Sequence, residues 1–120
     1  PHSPPPPPSS PPPYSVTLVD HNAVSFTSYV PPPSLHPRVT SIIDHHSDAG
    51  QHLQASPRVI KTTGSCATLV WDDAMGPTIR RALAVAILVD TGMLRNADKT
   101  TDLDIEVFGR AVAGLGEGAE

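Results

Sequence analysis

A chain of 120 residues fits one domain of the common ~100–150 residue size, and a formal charge of −4 with only eight Lys and Arg argues against a nucleic-acid binder that works through a basic face. The single cysteine, Cys66, excludes an intrachain disulfide, and the longest apolar run, Ala82 to Val89, falls far short of the ~18 residues needed to cross a bilayer. With no signal-peptide pattern at the N-terminus, the chain reads as soluble and cytoplasmic, with neither membrane nor nucleic acid as partner.

Residues 1–13 hold nine of the fifteen prolines and no large apolar side chain. Such a run cannot bury enough surface to offset its ordering entropy, so it reads as a disordered Pro-rich segment. It is either a flexible linker or a ligand for an aromatic-lined groove of the SH3 or WW kind. The foldable domain spans residues 14–115, and residues 116–120 read as a flexible tail.

Val16-Thr-Leu-Val19 is a short apolar run with β-branched residues, ending at Asp20-His21-Asn22. Val39-Thr-Ser-Ile-Ile43 repeats the pattern and ends at Asp44-His45-His46. The connection from His21 to Arg38 is long enough for a parallel crossover, and Pro31 to Pro33 make its last part irregular. A third strand is predicted at Arg58-Val-Ile-Lys61. A helix should then open at Thr62-Thr-Gly-Ser65 and run to about Met75, with Gly76-Pro77 as its stop.

The next helix should start near Thr78. Its stretch to Val89 is apolar on nearly every side, which predicts burial against the sheet, and it should end at Asp90-Thr91-Gly92. The last helix has Thr101 as N-cap, acids at 102, 104 and 106, and one apolar face from Leu103, Val107, Phe108, Ala111, Val112 and Leu115. Strands alternating with helices predict an α/β fold, a parallel sheet with flanking helices.

Leu18-Val-Asp-His-Asn22, Ile42-Ile-Asp-His-His46 and Ile87-Leu-Val-Asp-Thr91 are each an apolar run that ends in an acid. If the first two are parallel neighbours, their ends gather at one edge of the sheet, where ligands bind, and Asp90 can join them from the end of a buried helix. Carboxylates with imidazoles suit manganese, cobalt or zinc, and carboxylates also suit magnesium. Two such ions ~3.5–4 Å apart clamp phosphoryl oxygens. One such segment alone is more often a turn or a cap; three together favour a site. His2, His36 and His52 have no such setting and read as surface residues. Cys66 reads as a small packing residue, because no basic neighbour in sequence would lower its pKa. The Gly64-Ser65 turn either presents backbone N–H groups to an anion or marks a close helix–sheet contact that needs glycine.

Asp44-His45-His46 after an apolar strand resembles the signature of the DHH phosphoesterase family. Leu18-Val-Asp-His-Asn22 is similar to the preceding motif of the pyrophosphatase and exopolyphosphatase branch, and Gly64-Ser-Cys-Ala-Thr-Leu-Val70 and Ile87-Leu-Val-Asp-Thr91 follow in family order. Ile43-Asp-His-His-Ser-Asp48 with Gly50, and Lys99-Thr-Thr-Asp102, resemble fungal-type exopolyphosphatases most. The resemblance implies part of a DHH-type N-terminal domain that releases phosphate from polyphosphate. Manganese-dependent pyrophosphatase is the alternative within the class, and a catalytically incomplete metal- or partner-binding protein the alternative outside it.

The resemblance also implies a two-ion site, with manganese or magnesium first and cobalt or zinc next. Asp20 would be shared by both ions, and His45 and Asp90 would ligate one. His46 would contact a substrate phosphate, His21 and Asn22 would line the site, and Asp44 would orient the imidazoles. The catalytic set is thus Asp20, His45 and His46. The family's opening Asp-x-Asp motif has no match before Asp20, so the domain reads as partial, with weak or no turnover expected from these residues alone.

Overall fold

The computed structural model describes residues 15–25 and 38–115. The Pro-rich head, the triple proline and the tail lie outside the described residues, as do His2 and His36.

Three strands form one sheet in the order β1-β2-β3: β1 (Ser15–Val19), β2 (Arg38–Asp44) and β3 (Arg58–Ile60). Both pairings are parallel, so all three carboxyl ends meet at one edge, as the sequence predicts. Leu18 stands opposite Ile42, and both are buried. A bulge between Val16 and Thr17 shifts the register by one residue of β2. That shift matters because side chains alternate faces: it lets Val16 and Val39 join Leu18 and Ile42 on one apolar face, with Ala55, Val24 and Ile60 packed around them. On the other face Thr17 and Ser41 share a hydroxyl hydrogen bond of 2.6 Å.

The helices are α1 (Ala67–Val70), α2 (Pro77–Asp90) and α3 (Asp102–Val112). The long helix expected from Thr62 shrinks to the single turn α1. Residues 61–66 are extended or turned instead, and after Val70 the chain turns where Asp72 accepts from Ala74 N (2.7 Å) and Met75 N (3.1 Å). A short Asp offering its side chain to the backbone two residues on competes with helix continuation.

Helix α2 also departs from expectation. It packs against α3 and α1 rather than against the sheet, and it is not buried all round. Ala84 and Ile87 face inward, whereas Ile79, Val85 and Val89 are 51%, 59% and 74% exposed. A helix buries only the stripe that meets a partner, and its helical partners line one side. Its end is a Schellman motif: Gly92 at φ 58°, Met93 N to Leu88 O at 2.8 Å, and Gly92 N to Val89 O at 3.5 Å. This stop leaves Asp90 as the last helical residue.

Helix α3 starts as read from sequence, with Thr101 and Asp104 forming a reciprocal capping box. Val107 and Ala111 are buried, while Val112 lies at the exposed edge of the expected apolar face. Arg80 of α2 donates to the carbonyls of Arg110 (2.7 Å) and Ala113 (3.3 Å), tying the end of α3 to α2. No helix among the described residues is long and apolar enough to cross a membrane.

Candidate metal centre

Strand β1 ends at Val19, and the next residue, Asp20, takes φ 68°, left-handed backbone that Asp tolerates better than most residues. Its N–H still bonds to Ile43 O at 3.0 Å, so the turn is pinned against the end of β2. The Asp20 carboxylate stands 3.0 Å from His45 Nε2. Among the described residues, Asp20, Asp44, His45 and His46 can each offer a ligand atom within 4.8 Å of the others.

Asp44 ends β2 and is fully buried. Its Oδ1 accepts from His45 N at 2.8 Å and from His46 Nδ1 at 2.7 Å, and its Oδ2 accepts from the Asn22 amide. Burial alone would push this carboxyl up, but the hydrogen bonds from Asn22, His46 and the backbone of His45 and His46 outweigh it and hold it below the ordinary range. Asp44 is therefore an ionised acceptor, and it fixes His46 as the tautomer carrying its proton on Nδ1.

His45 Nδ1 lies 2.8 Å from the Thr63 carbonyl. A carbonyl only accepts, so Nδ1 carries the proton here too. In the neutral ring, Nε2 then presents a lone pair to the Asp20 carboxylate. Two acceptors at that distance repel unless a cation sits between them or a proton joins the imidazole. This is the arrangement a metal-binding histidine needs: one nitrogen tied by a carbonyl, the other open to a carboxylate-lined cation site. His21 follows the same pattern more loosely, with Nδ1 3.0 Å from Val19 O and the ring exposed.

Asn22 is placed differently from the expectation that it lines the site. It is buried beneath it, donating to Asp44 and to Ser47 O (2.9 Å) and accepting from Ala49 N (2.8 Å). It stitches the end of β1 to the loop after β2. Asp90 is not among the four clustered residues. Its Oδ2 accepts from the Ser65 hydroxyl at 2.7 Å. It does belong to the same neighbourhood: burial pushes the Cys66 thiol up, and the charges of Asp20, Asp44 and Asp90 add to that, against a lowering contact from the Asp20 backbone. Cys66 is thus a buried neutral thiol, as the sequence suggests.

The Gly64-Ser65 turn binds an anion, but one belonging to the chain itself. Gly64 N and Ser65 N donate to the Asp104 carboxylate at 2.8 and 3.3 Å. A Cβ on Gly64 would lie 2.7 Å from Thr91 Cγ2 and 2.9 Å from Lys99 O, so glycine is required by contact with the end of α2 and the loop after it, not with the sheet. His52, expected at the surface, is half-buried in the loop after β2. Sequence reasoning missed the Thr63 carbonyl and Ser65 hydroxyl as partners of His45 and Asp90. A backbone carbonyl leaves no mark in a sequence, and the only trace was the Thr-Thr-Gly-Ser run itself.

No protein-family model matches the chain. A fission-yeast protein (Schizosaccharomyces pombe) named "Putative exopolyphosphatase" is 35% identical over 109 residues, covering 77% of this chain and 27% of that protein. The chain thus spans about a quarter of the length of this curated relative. Among solved structures, a Methanococcus jannaschii protein described as a "putative family II inorganic pyrophosphatase" matches with a TM-score of 0.65 and 24% identity, over 87% of this chain and 38% of that one. The pyrophosphatase likeness carries the fold; the yeast relative and the ordered motifs carry the kinship. The chain belongs to the DHH phosphoesterase family, among the kin of its exopolyphosphatases.

Proposed function

We propose that this domain hydrolyses phosphoanhydride bonds with divalent metal ions, in a cytoplasmic setting, and releases phosphate from inorganic polyphosphate. The observation that carries the reading is the His45–Asp20 pair, with Nδ1 committed to Thr63 O and Nε2 facing a carboxylate at 3.0 Å. Asp20 and His45 would hold the cation, with Asp90 joining from the end of α2. Manganese or magnesium suits this set best, and cobalt or zinc is compatible with it. Bound ions would supply Lewis acidity and the positive field that a polyanionic substrate needs.

The chain's own residues do the rest. Asp44 holds the His46 ring through Nδ1 with Nε2 on the open side, where a ring carrying a second proton would donate from Nε2 to a substrate phosphate. His21, exposed at the end of β1, lines the same mouth. Asn22 acts from below by holding Asp44 and the loop after it. The yeast relative's name favours polyphosphate over pyrophosphate; since these residues alone are expected to turn over weakly or not at all, manganese-dependent binding of the two substrates distinguishes them.

The test is manganese binding followed by calorimetry. Asp20→Asn keeps a residue that tolerates the left-handed backbone and removes only the charge. It and His45→Ala are expected to abolish binding, with little change in thermal stability for the exposed Asp20. Unchanged manganese affinity in both variants would sink the assignment.

A further inference from the structure

Asp104 does more than cap a helix. A capping box needs one carboxylate oxygen reaching back to the N-cap, and Oδ2 does this for Thr101 N at 2.7 Å. Yet Asp104 is fully buried, and its other oxygen faces away from the cap. Oδ1 accepts from the Thr68 hydroxyl at 2.6 Å and from Ser65 N at 3.3 Å, while Oδ2 also takes Gly64 N at 2.8 Å. Burial would push this carboxyl up, but its hydrogen bonds, from Thr68 and Thr101 first, hold it below the ordinary range.

The segment that Asp104 grips is the one that serves the metal centre from both sides. The Thr63 carbonyl takes the Nδ1 proton of His45, from the end of β2. The Ser65 hydroxyl donates to Asp90, from the end of α2, and itself accepts from Ala67 N at 3.2 Å, so its rotamer is fixed at both ends. The side chain of Gly64's neighbour Thr63 donates to Ser65 O at 2.8 Å and tightens the same turn. The turn has no room for a Cβ at Gly64, where Thr91, the Lys99 carbonyl and the Asp104 carboxylate lie close against the backbone.

We propose that Asp104 is a positioning residue for the metal centre: through residues 63–65 it sets the tautomer of His45 and the orientation of Asp90 together. Ser65 is the link to Asp90 and the Thr63 carbonyl the link to His45. The inference rests on the reading of His45 and Asp90 as ligands. A partner that fixes a ligand's orientation is worth ~10–100-fold in metal affinity.

The experiment measures manganese affinity by calorimetry on the full 120-residue chain, thermal midpoints, and the ring-nitrogen NMR shifts of His45 without metal. Ser65→Ala and Asp104→Asn are each expected to weaken manganese binding by ~10–100-fold. Asp104→Asn should also lose the Nδ1–H signature of His45, which Ser65→Ala should keep. Val107→Ala, which hollows the core beside α3, controls for stability: it should lower the midpoint and leave affinity and tautomer unchanged.

If Ser65→Ala and Asp104→Asn bind manganese like the parent while His45→Ala and Asp90→Ala do not, positioning is refuted and the metal site stands. If Val107→Ala weakens binding as much as they do, the effect is mere stability and positioning is again refuted. If all four site variants bind like the parent, the metal reading itself fails and takes the inference with it. Should Asp104→Asn not fold, Thr68→Val, which removes only the hydroxyl bond to Asp104 Oδ1, takes its place, and unchanged manganese affinity and His45 tautomer in it would refute the proposal.

Discussion

The chemistry of this site turns on which nitrogen of each histidine is free. His45 and His46 both give the Nδ1 proton to a fixed acceptor, Thr63 O and Asp44, and so keep Nε2 for whatever enters the mouth. Asp44 can do this only while ionised, and the Asn22 amide is its leading stabilising partner. Three carboxyls, those of Asp44, Asp48 and Asp104, are held below the ordinary value of 3.8, Asp48 at about 2 by the bidentate Arg58 guanidinium. A carboxyl lower in the folded than in the unfolded chain stabilises the fold above the unfolded value, and that stabilisation is lost as pH falls through the folded value. Stability from these groups should therefore hold near neutrality and decline below about pH 4, where the unfolded chain begins to bind protons that the folded one refuses. Asn22→Ala removes the leading bond that opposes burial at Asp44, so its acid unfolding midpoint is expected at higher pH than the parent's. Circular dichroism across an acid titration checks this; coincident curves would mean that Asn22 does not set the charge state of Asp44.

At the scale of elements, what could be read from the sequence was what local chemistry decides. The three strands come within a residue of their expected ends because β-branched runs stop at polar residues, and α3 starts where Thr101 and Asp104 cap each other. The length of α1 could not be read, because its continuation is opposed by the Asp72 turn and its entry is held by Asp104, more than thirty residues away in sequence. Gly64 shows how much depends on that entry. Ala there would bring a Cβ within 3.0 Å of three groups, and one of them, Lys99 O, is backbone that cannot swing aside. Gly64→Ala is expected to destabilise the fold by about 1–3 kcal/mol, the usual cost of overpacking, and to weaken metal binding as the turn moves off His45 and Asp90. Chemical denaturation measures the first effect and calorimetry the second. The exposed stripe of α2 gives the opposite expectation. Val89 is 74% exposed and touches no core, so Val89→Lys should change stability by less than ~0.5 kcal/mol, and a larger loss in the same denaturation experiment would show that this face is covered.

Taken whole, the molecule carries the wrong sign of charge for the substrate proposed for it. Its net charge is −4, and the carboxylates of Asp20, Asp44 and Asp90 all bear on Cys66 beside the carboxyl edge of the sheet. A polyphosphate chain approaching that edge of the sheet meets a cluster of carboxylates with Lys61, just after β3, as a nearby cation, and like charges close together in a partly buried setting repel strongly. Sequence could locate these acids, because each ends an apolar run, but not their neighbours: that Asp90 bonds to Ser65 while Asp20 faces His45 depends on the Schellman turn after α2 and the left-handed Asp20, both products of tertiary contact. The sign problem yields a direct test. Divalent cations reverse the local field, so polyphosphate should bind only when they are present. Chelation with EDTA is expected to abolish polyphosphate binding to the chain, and manganese in excess of the chelator should restore it. Asp20→Asn removes one repelling charge but also a ligand, so it should gain nothing in EDTA and recover little with manganese. Fluorescence anisotropy of a labelled polyphosphate reads all four conditions. Tight binding in EDTA would mean that the substrate is gripped elsewhere, by cations of the protein rather than by ions held at this edge.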